Sequence, residues 1–290
     1  MKGVIQALLS PLVLVVFFAG APVTGLAVKA QEAAAAHFRV DPVRQLRKGV
    51  DAWPLIANPV TPAERRVNAT LTLLNTGLQS SLRDCDNGAR AEMRQIGAVE
   101  TGQDPAEDDW KRKVKVTMTG PRFFSMVATD DTSCGGAHPN SDTIAMVFDM
   151  TTGTLVNWVD LVAKSAGATA GGDTAYDGTR IGALVLPALQ KINIAAANAD
   201  CKDAFENPQS FLIWPDAKHG TLVAEAIGVP HVVQACAEEI PLTMEQARKL
   251  GFDESLVSAI EQAHARAVAA PKPRSNRNAT TSLGRRLPVT

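Results

Sequence analysis

Cys134-Gly135-Gly136-Ala137-His138-Pro139-Asn140, then Phe148-Asp149-Met150-Thr151-Thr152-Gly153, then Leu155-Val156-Asn157-Trp158-Val159-Asp160-Leu161-Val162, is the stretch that decides the fold. A glycine pair, a histidine and a proline separate two strand-like runs. Ile144, Met146 and Phe148 recur at every second position, the period of a half-buried strand. Thr151-Thr152-Gly153 turns the chain, and Leu155 to Trp158 runs back. Upstream, Val114, Val116 and Met118 alternate with Lys113, Lys115 and Thr117. Gly120-Pro121 makes a turn, and Phe123 to Ala128 returns. Short strands joined by tight turns predict an antiparallel meander.

Helices flank this meander. Thr61 is the expected N-cap of the clearest one, with Pro62 in its first turn and Glu64 completing a capping box. Val67, Leu71, Leu74, Leu78 and Leu82 fall on one helical face, a stripe that needs a sheet to pack on. The pattern predicts an end near Asp84, with Cys85 at the C-terminus. Residues 179–198 read as a second helix that Pro187 kinks or splits. Phe211 to Trp214, Thr221 to Ala226 and His231 to Cys236 read as three further strands. Thr243 with Gln246 caps a short helix closed by Gly251, and Asp253 opens a last helix to about Ala269. Grouped strands with helices around them predict an α+β fold, an antiparallel sheet or sheets packed against a few helices. A doubly wound parallel sheet is the alternative.

The ends read differently. Lys2, an apolar run from Val4 to Gly20 and Val28-Lys29-Ala30 have the form of a secretory signal peptide cleaved before Gln31. Residues 31–44 read as a flexible segment, and 45–269 as the α+β domain. The Gly/Ala-rich stretch 164–178 is the candidate boundary if that domain has two lobes. Lys272, Arg274, Arg277, Arg285 and Arg286 lie among Pro, Ser, Asn and Thr, so 270–290 reads as a disordered basic tail. No second apolar run is long enough for a span of roughly 20 residues, so no stable membrane span is expected after cleavage. The formal charge of the whole chain is −1. That balance does not suit nucleic acid.

Cys85, Cys134, Cys201 and Cys236 enter an oxidising compartment if the leader is real, the periplasm or the exterior. An even count there implies two disulfides, with three connectivities open. Pairing neighbours within each half favours Cys85–Cys134 and Cys201–Cys236. No Cys-x-x-Cys pair and no zinc-finger spacing is present, so neither a metal site nor a cofactor is expected.

The order of Trp53-Pro54-Leu55-Ile56, the helix near Val67-Asn68, Gly135-Gly136-Ala137-His138, Phe148-Asp149 with Gly153, and Asp160-Leu161-Val162 resembles a known exported domain of unassigned function. That domain is shared by lysozyme-sensing anti-sigma factors and some peptidoglycan deacetylases. The resemblance spans roughly residues 45–255, with Phe211 onward and Ile240-Pro241-Leu242 similar to its closing elements. It implies a lysozyme-like protein or a peptidoglycan fragment as partner. The chain departs from both relatives' patterns: it shows neither a helix leading to a sigma-binding segment nor a deacetylase motif. A stand-alone periplasmic version is the expectation.

Within the opening stretch, Gly135, Gly136, His138 and Asn140 are the candidate ligand or partner contacts. His138 has Asp130, Asp131, Ser133 and Ser141 close in sequence, but a general base needs an oriented partner that sequence proximity does not supply. No Gly-x-Ser-x-Gly elbow exists. Asp149 and Gly153 read as turn chemistry and Asp160 as the cap of a short helical turn. His219 and His231 read as surface or satisfied histidines. The function expected is a non-catalytic binding or interaction protein of the cell envelope. The alternative is a small envelope hydrolase using His138.

Overall fold

Thr61-Pro62-Ala63-Glu64 opens the helix on which everything else is laid, α1 (Pro62–Gln95). Thr61 Oγ1 accepts the Glu64 N–H at 3.1 Å, and Glu64 Oε2 accepts the Thr61 N–H at 3.0 Å. The computed structural model describes residues 38–95, 109–135, 140–171, 174–176, 179–197, 201–205, 207–229 and 236–270. Residues 1–37, 136–139 and 271–290 are among those that lie outside them.

α1 runs past the expected end at Asp84 to Gln95, so Cys85 is inside the helix. Asp84-Cys85-Asp86-Asn87-Gly88 are weak helix formers, but tertiary contact overrides them. Cys85 is disulfide-bonded to Cys134, with Cα atoms 4.5 Å apart. A Cβ on Gly88 would sit 2.6 Å from the Cys134 carbonyl oxygen, so glycine is what lets the loop approach the helix.

The meander forms sheet I: β1 (Gln45–Arg47), β2 (Val50–Asp51), β3 (Trp110–Thr119), β4 (Phe123–Thr132), β5 (Asn140–Asp149) and β6 (Thr154–Leu155), adjacent in that order. All neighbours are antiparallel except β2 and β3. Phe123 to Ala128 and Ile144 to Phe148 are buried without a break. Successive strand side chains point to opposite faces, so both faces of sheet I are covered.

One face meets α1. Val67, Leu71, Leu74 and Leu78 are fully buried there, and Leu78, Leu82 and Cys85 pack with Val50 and Trp110. The same face buries an ion pair. Arg112, 0 % exposed, donates to Asp130 Oδ2, and the Trp110 indole N–H donates to Asp130 Oδ1 at 2.8 Å. The Arg112 guanidinium lies 4.6 Å over the Trp53 ring. Burial pushes the Asp130 carboxyl above its ordinary value, against the pull of Arg112 and Trp110.

The other face meets sheet II, whose strand order is β11-β10-β9-β8-β7. These strands are β7 (Thr169–Ala170), β8 (Leu184–Val185), β9 (Ser210–Asp216), β10 (Thr221–Ile227) and β11 (Ile240–Leu242). β9 lies against β3, β4 and β5. One hydrophobic cluster runs through both sheets, from Trp53 and Phe124 to Trp214 and Ile260. The strand beside β10 is Ile240–Leu242; of the expected His231–Cys236 strand, 231–235 lie outside the described residues.

Pro187 opens α2 (Pro187–Ala196) instead of kinking a longer helix. The residue before a proline is pushed to extended backbone, and Leu186 has φ −136° and ψ 109°. The chain ahead of it is therefore strand β8. Thr243 and Gln246 form the capping box of α3 (Met244–Lys249), and Asp253 caps α4 (Glu254–Ala269). The fold is α+β.

Two substitutions test this packing. Leu74→Ala is expected to cost about 2–5 kcal/mol in urea unfolding, since a fully buried leucine is lost and a cavity left. Asp130→Ala is expected to cost about 3–5 kcal/mol because it strands the Arg112 charge in the core. A loss below about 1 kcal/mol in either variant would contradict the packing described.

Candidate functional site

The expected site residues divide between three places. Cys134 and Gly135 dock on α1 through the disulfide and the Gly88 contact; Gly135 has φ 79°. Gly136 and His138 lie outside the described residues, so the loop's histidine has no described geometry. Asn140 starts β5, and its amide donates to the Asp142 carboxylate beside it.

Phe148 stacks on Phe124 with centroids 6.3 Å apart. Asp149 Oδ1 accepts from the Thr151 N–H at 2.8 Å, and Oδ2 accepts from Arg122 at 2.9 Å. The Gly153 N–H donates to the Asp149 carbonyl at 2.7 Å. A Cβ on Gly153, which has φ 74°, would stand 2.3 Å from the Ala63 carbonyl oxygen of α1. Burial raises the Asp149 pKa, but the bonds from Thr151 and Arg122 outweigh it and hold the carboxyl below its ordinary value. Asp160 is not the cap of its turn. It is the third residue of the 3-10 helix Trp158–Leu161, where Asn157 is the N-cap and its amide donates to Asp160 at 2.9 Å. Asn157 takes the cap position because the helical turn starts at Trp158, three residues earlier than a cap at Asp160 would place it. Cys201 and Cys236 form the second disulfide, Cα atoms 5.5 Å apart.

A concave feature among the described residues lies elsewhere. A groove of about 330 Å³ lies between the second half of β3, the turn after β9 and the last turns of α4. Val116, Met118, Ala217 and Ala263 give it an apolar lining, and Lys218 and Arg266 bring two cations to it. Among the described residues neither cation makes an ion pair. The turn is rigid for a clear reason. Asp216, buried at the end of β9, accepts from the Lys218 N–H at 3.0 Å, from Lys115 Nζ at 3.1 Å and pairs with His219 Nδ1 at 2.9 Å. Burial pushes its pKa up, but His219 and Lys115 outweigh that and hold it below its ordinary value. His264 of α4 closes the turn from the other side, its Nδ1 2.9 Å from the Ala217 carbonyl oxygen, which leaves that nitrogen as the donor.

Asp216 orients His219 as a carboxylate orients a general base. Among the described residues no hydroxyl or thiol is hydrogen-bonded to that ring, no cysteine is free, and no His/Cys/Asp/Glu group could hold a metal. The arrangement can hold an anionic group; it offers no activated nucleophile. From sequence His219 reads only as a surface or satisfied histidine. The available signal was Asp216 placed three residues before His219 between two strands, since that spacing folds a carboxylate back on an imidazole. Nothing in the sequence could have brought Arg266 there.

The chain matches no protein-family model and no curated protein.

Glu225 of β10 is the most perturbed carboxyl. Burial raises it from 4.5 to about 7, opposed by a bond from Thr143 of β5 and aided by the charge of Glu239. A folded-state value above the unfolded one means the fold binds this proton more tightly, so the group's contribution is most favourable at low pH and is lost as pH rises through about 7. Glu225→Gln is expected to leave stability unchanged near pH 4 and to raise it by up to about 3 kcal/mol at pH 8, read from urea midpoints at both pH values. Equal effects at both would show that Glu225 titrates normally.

Proposed function

We propose that this chain is an exported protein of the periplasm or the exterior that binds a partner in the cell envelope without transforming it. The observation that carries the reading is the groove beside β3: an apolar lining and two cations that make no ion pair among the described residues. Four cysteines spent on two disulfides suit an oxidising compartment. No helix among the described residues is long and apolar enough to cross a membrane. The resemblance to the lysozyme-sensing domain makes a lysozyme-like hydrolase or a peptidoglycan fragment the first partner to try.

The mature chain, residues 31–290, is expected to retain either immobilised lysozyme or solubilised peptidoglycan fragments with micromolar affinity in calorimetry, and to release no products from the fragments. Absence of binding to both removes the named partners. Turnover of the fragments removes the non-catalytic reading.

A further inference from the structure

The groove has a main-chain edge as well as cations, and on the binding reading above this narrows the class of partner. β2 is short and pairs with β3 only at Val50 and Arg112. The Arg112 N–H donates to the Gly49 carbonyl at 2.9 Å, and the Val114 N–H donates to Asp51 Oδ2 at 3.1 Å. These two amides therefore point away from β4. Val116 has the same strand parity and is paired opposite Met126 before the register shifts. By that parity its N–H and C=O are aimed at the same edge, and Val116 is one of the residues lining the groove. At the bulge itself the edge closes again, since Thr117 O accepts the Ala217 N–H at 2.9 Å.

We propose that this groove takes an acidic peptide in extended conformation, paired through its backbone to Val116 and through its carboxylates to Lys218 and Arg266. An exposed strand edge gives affinity through main-chain bonds, and the flanking side chains select the sequence. Charge selects the occupant. Asp216, the buried acid just ahead of Ala217 and Lys218, is already engaged by Lys115 and His219. The chain that continues beyond Ala270 carries Lys272, Arg274 and Arg277 and no acidic residue. Its own charge makes it a poor occupant of the groove.

The test uses the mature full chain and two blocked hexapeptides, one alternating glutamate with valine and one alternating lysine with valine, in calorimetry at low and at moderate salt. The acidic peptide is expected to bind, more weakly as salt rises, and the basic one not to bind. Lys218→Ala with Arg266→Ala is expected to lower the affinity roughly tenfold or more, since two charge-assisted bonds are lost, with an unchanged melting temperature. Val116→Pro removes the outward amide and is expected to weaken binding similarly, and proline is tolerated on an open strand edge. Equal binding of both peptides, or undiminished binding by the double variant, overturns the proposal. Retention of lysozyme or peptidoglycan fragments that the double variant leaves untouched overturns the groove while the envelope-binding reading stands. Loss of all binding in the unsubstituted chain overturns both.

Discussion

The close approach of the chain to α1 is the constraint on which the rest of the structure depends. Its inner face presents the leucine stripe to sheet I, but its flanks do as much. Asn75 accepts the Trp53 N–H at 2.8 Å and donates to the Trp53 carbonyl at 2.9 Å. Asn68, two turns earlier, does the same for Ile56 at 2.8 and 2.9 Å. The two side-chain amides thus stand in for a neighbouring strand, satisfying extended backbone that the core would otherwise leave unpaired. Gly135 and Gly153 meet the helix backbone at Gly88 and Ala63. Segments far apart in sequence, Trp53–Ile56, Cys134–Gly135 and the Asp149–Gly153 turn, are adjacent because one helix holds all of them.

This gives a physical meaning to the order of motifs that opens the chain's reading. The glycines there are contact glycines, and the aspartate closes a turn. Phe148 fills the layer beside Phe124. Cys134, Gly135, Phe148, Asp149 and Gly153 are all engaged in packing or turn bonds. The disulfide from Cys85 to Cys134 locks the same helix to the same loop and closes a loop of 49 residues, worth about 4 kcal/mol by chain entropy. Helix, loop and turn are therefore over-determined, and a polar centre as costly as the buried Arg112–Asp130 pair is tolerated beneath them.

Much of this was legible because it is local. The capping boxes at Thr61 and Thr243, the stripe from Val67 to Leu82 and the alternation through Ile144 and Phe148 are written within a few residues of each other. The same local logic misplaced the end of α1, because the contact that extends it comes from Cys134. It merged β8 into α2, because Leu184 fits a helical stripe as well as a strand and only the pairing with β9 decides. The groove was illegible for the stronger reason that it belongs to no segment. Val116, Lys218 and Arg266 come from a strand edge, a turn and a helix end, each unremarked alone.

That distribution bears on how fold and binding are divided in this protein. Of the signature residues, Cys134, Gly135 and Gly153 lie against α1, while Val162 bridges to Phe252 ahead of α4. The groove opens on the side of sheet II, at the one stretch of β3 that neither β2 nor the turn after β9 covers. Its cations are exposed and make no ion pair among the described residues, so replacing them costs the fold little. Glycines 88, 135 and 153 have no such freedom, since any side chain would strike backbone. A scaffold built this way can keep its helix, loop and turn unchanged while the charge and lining of the groove vary. On the proposed reading, partner choice is therefore set by a few surface residues on a rigid edge.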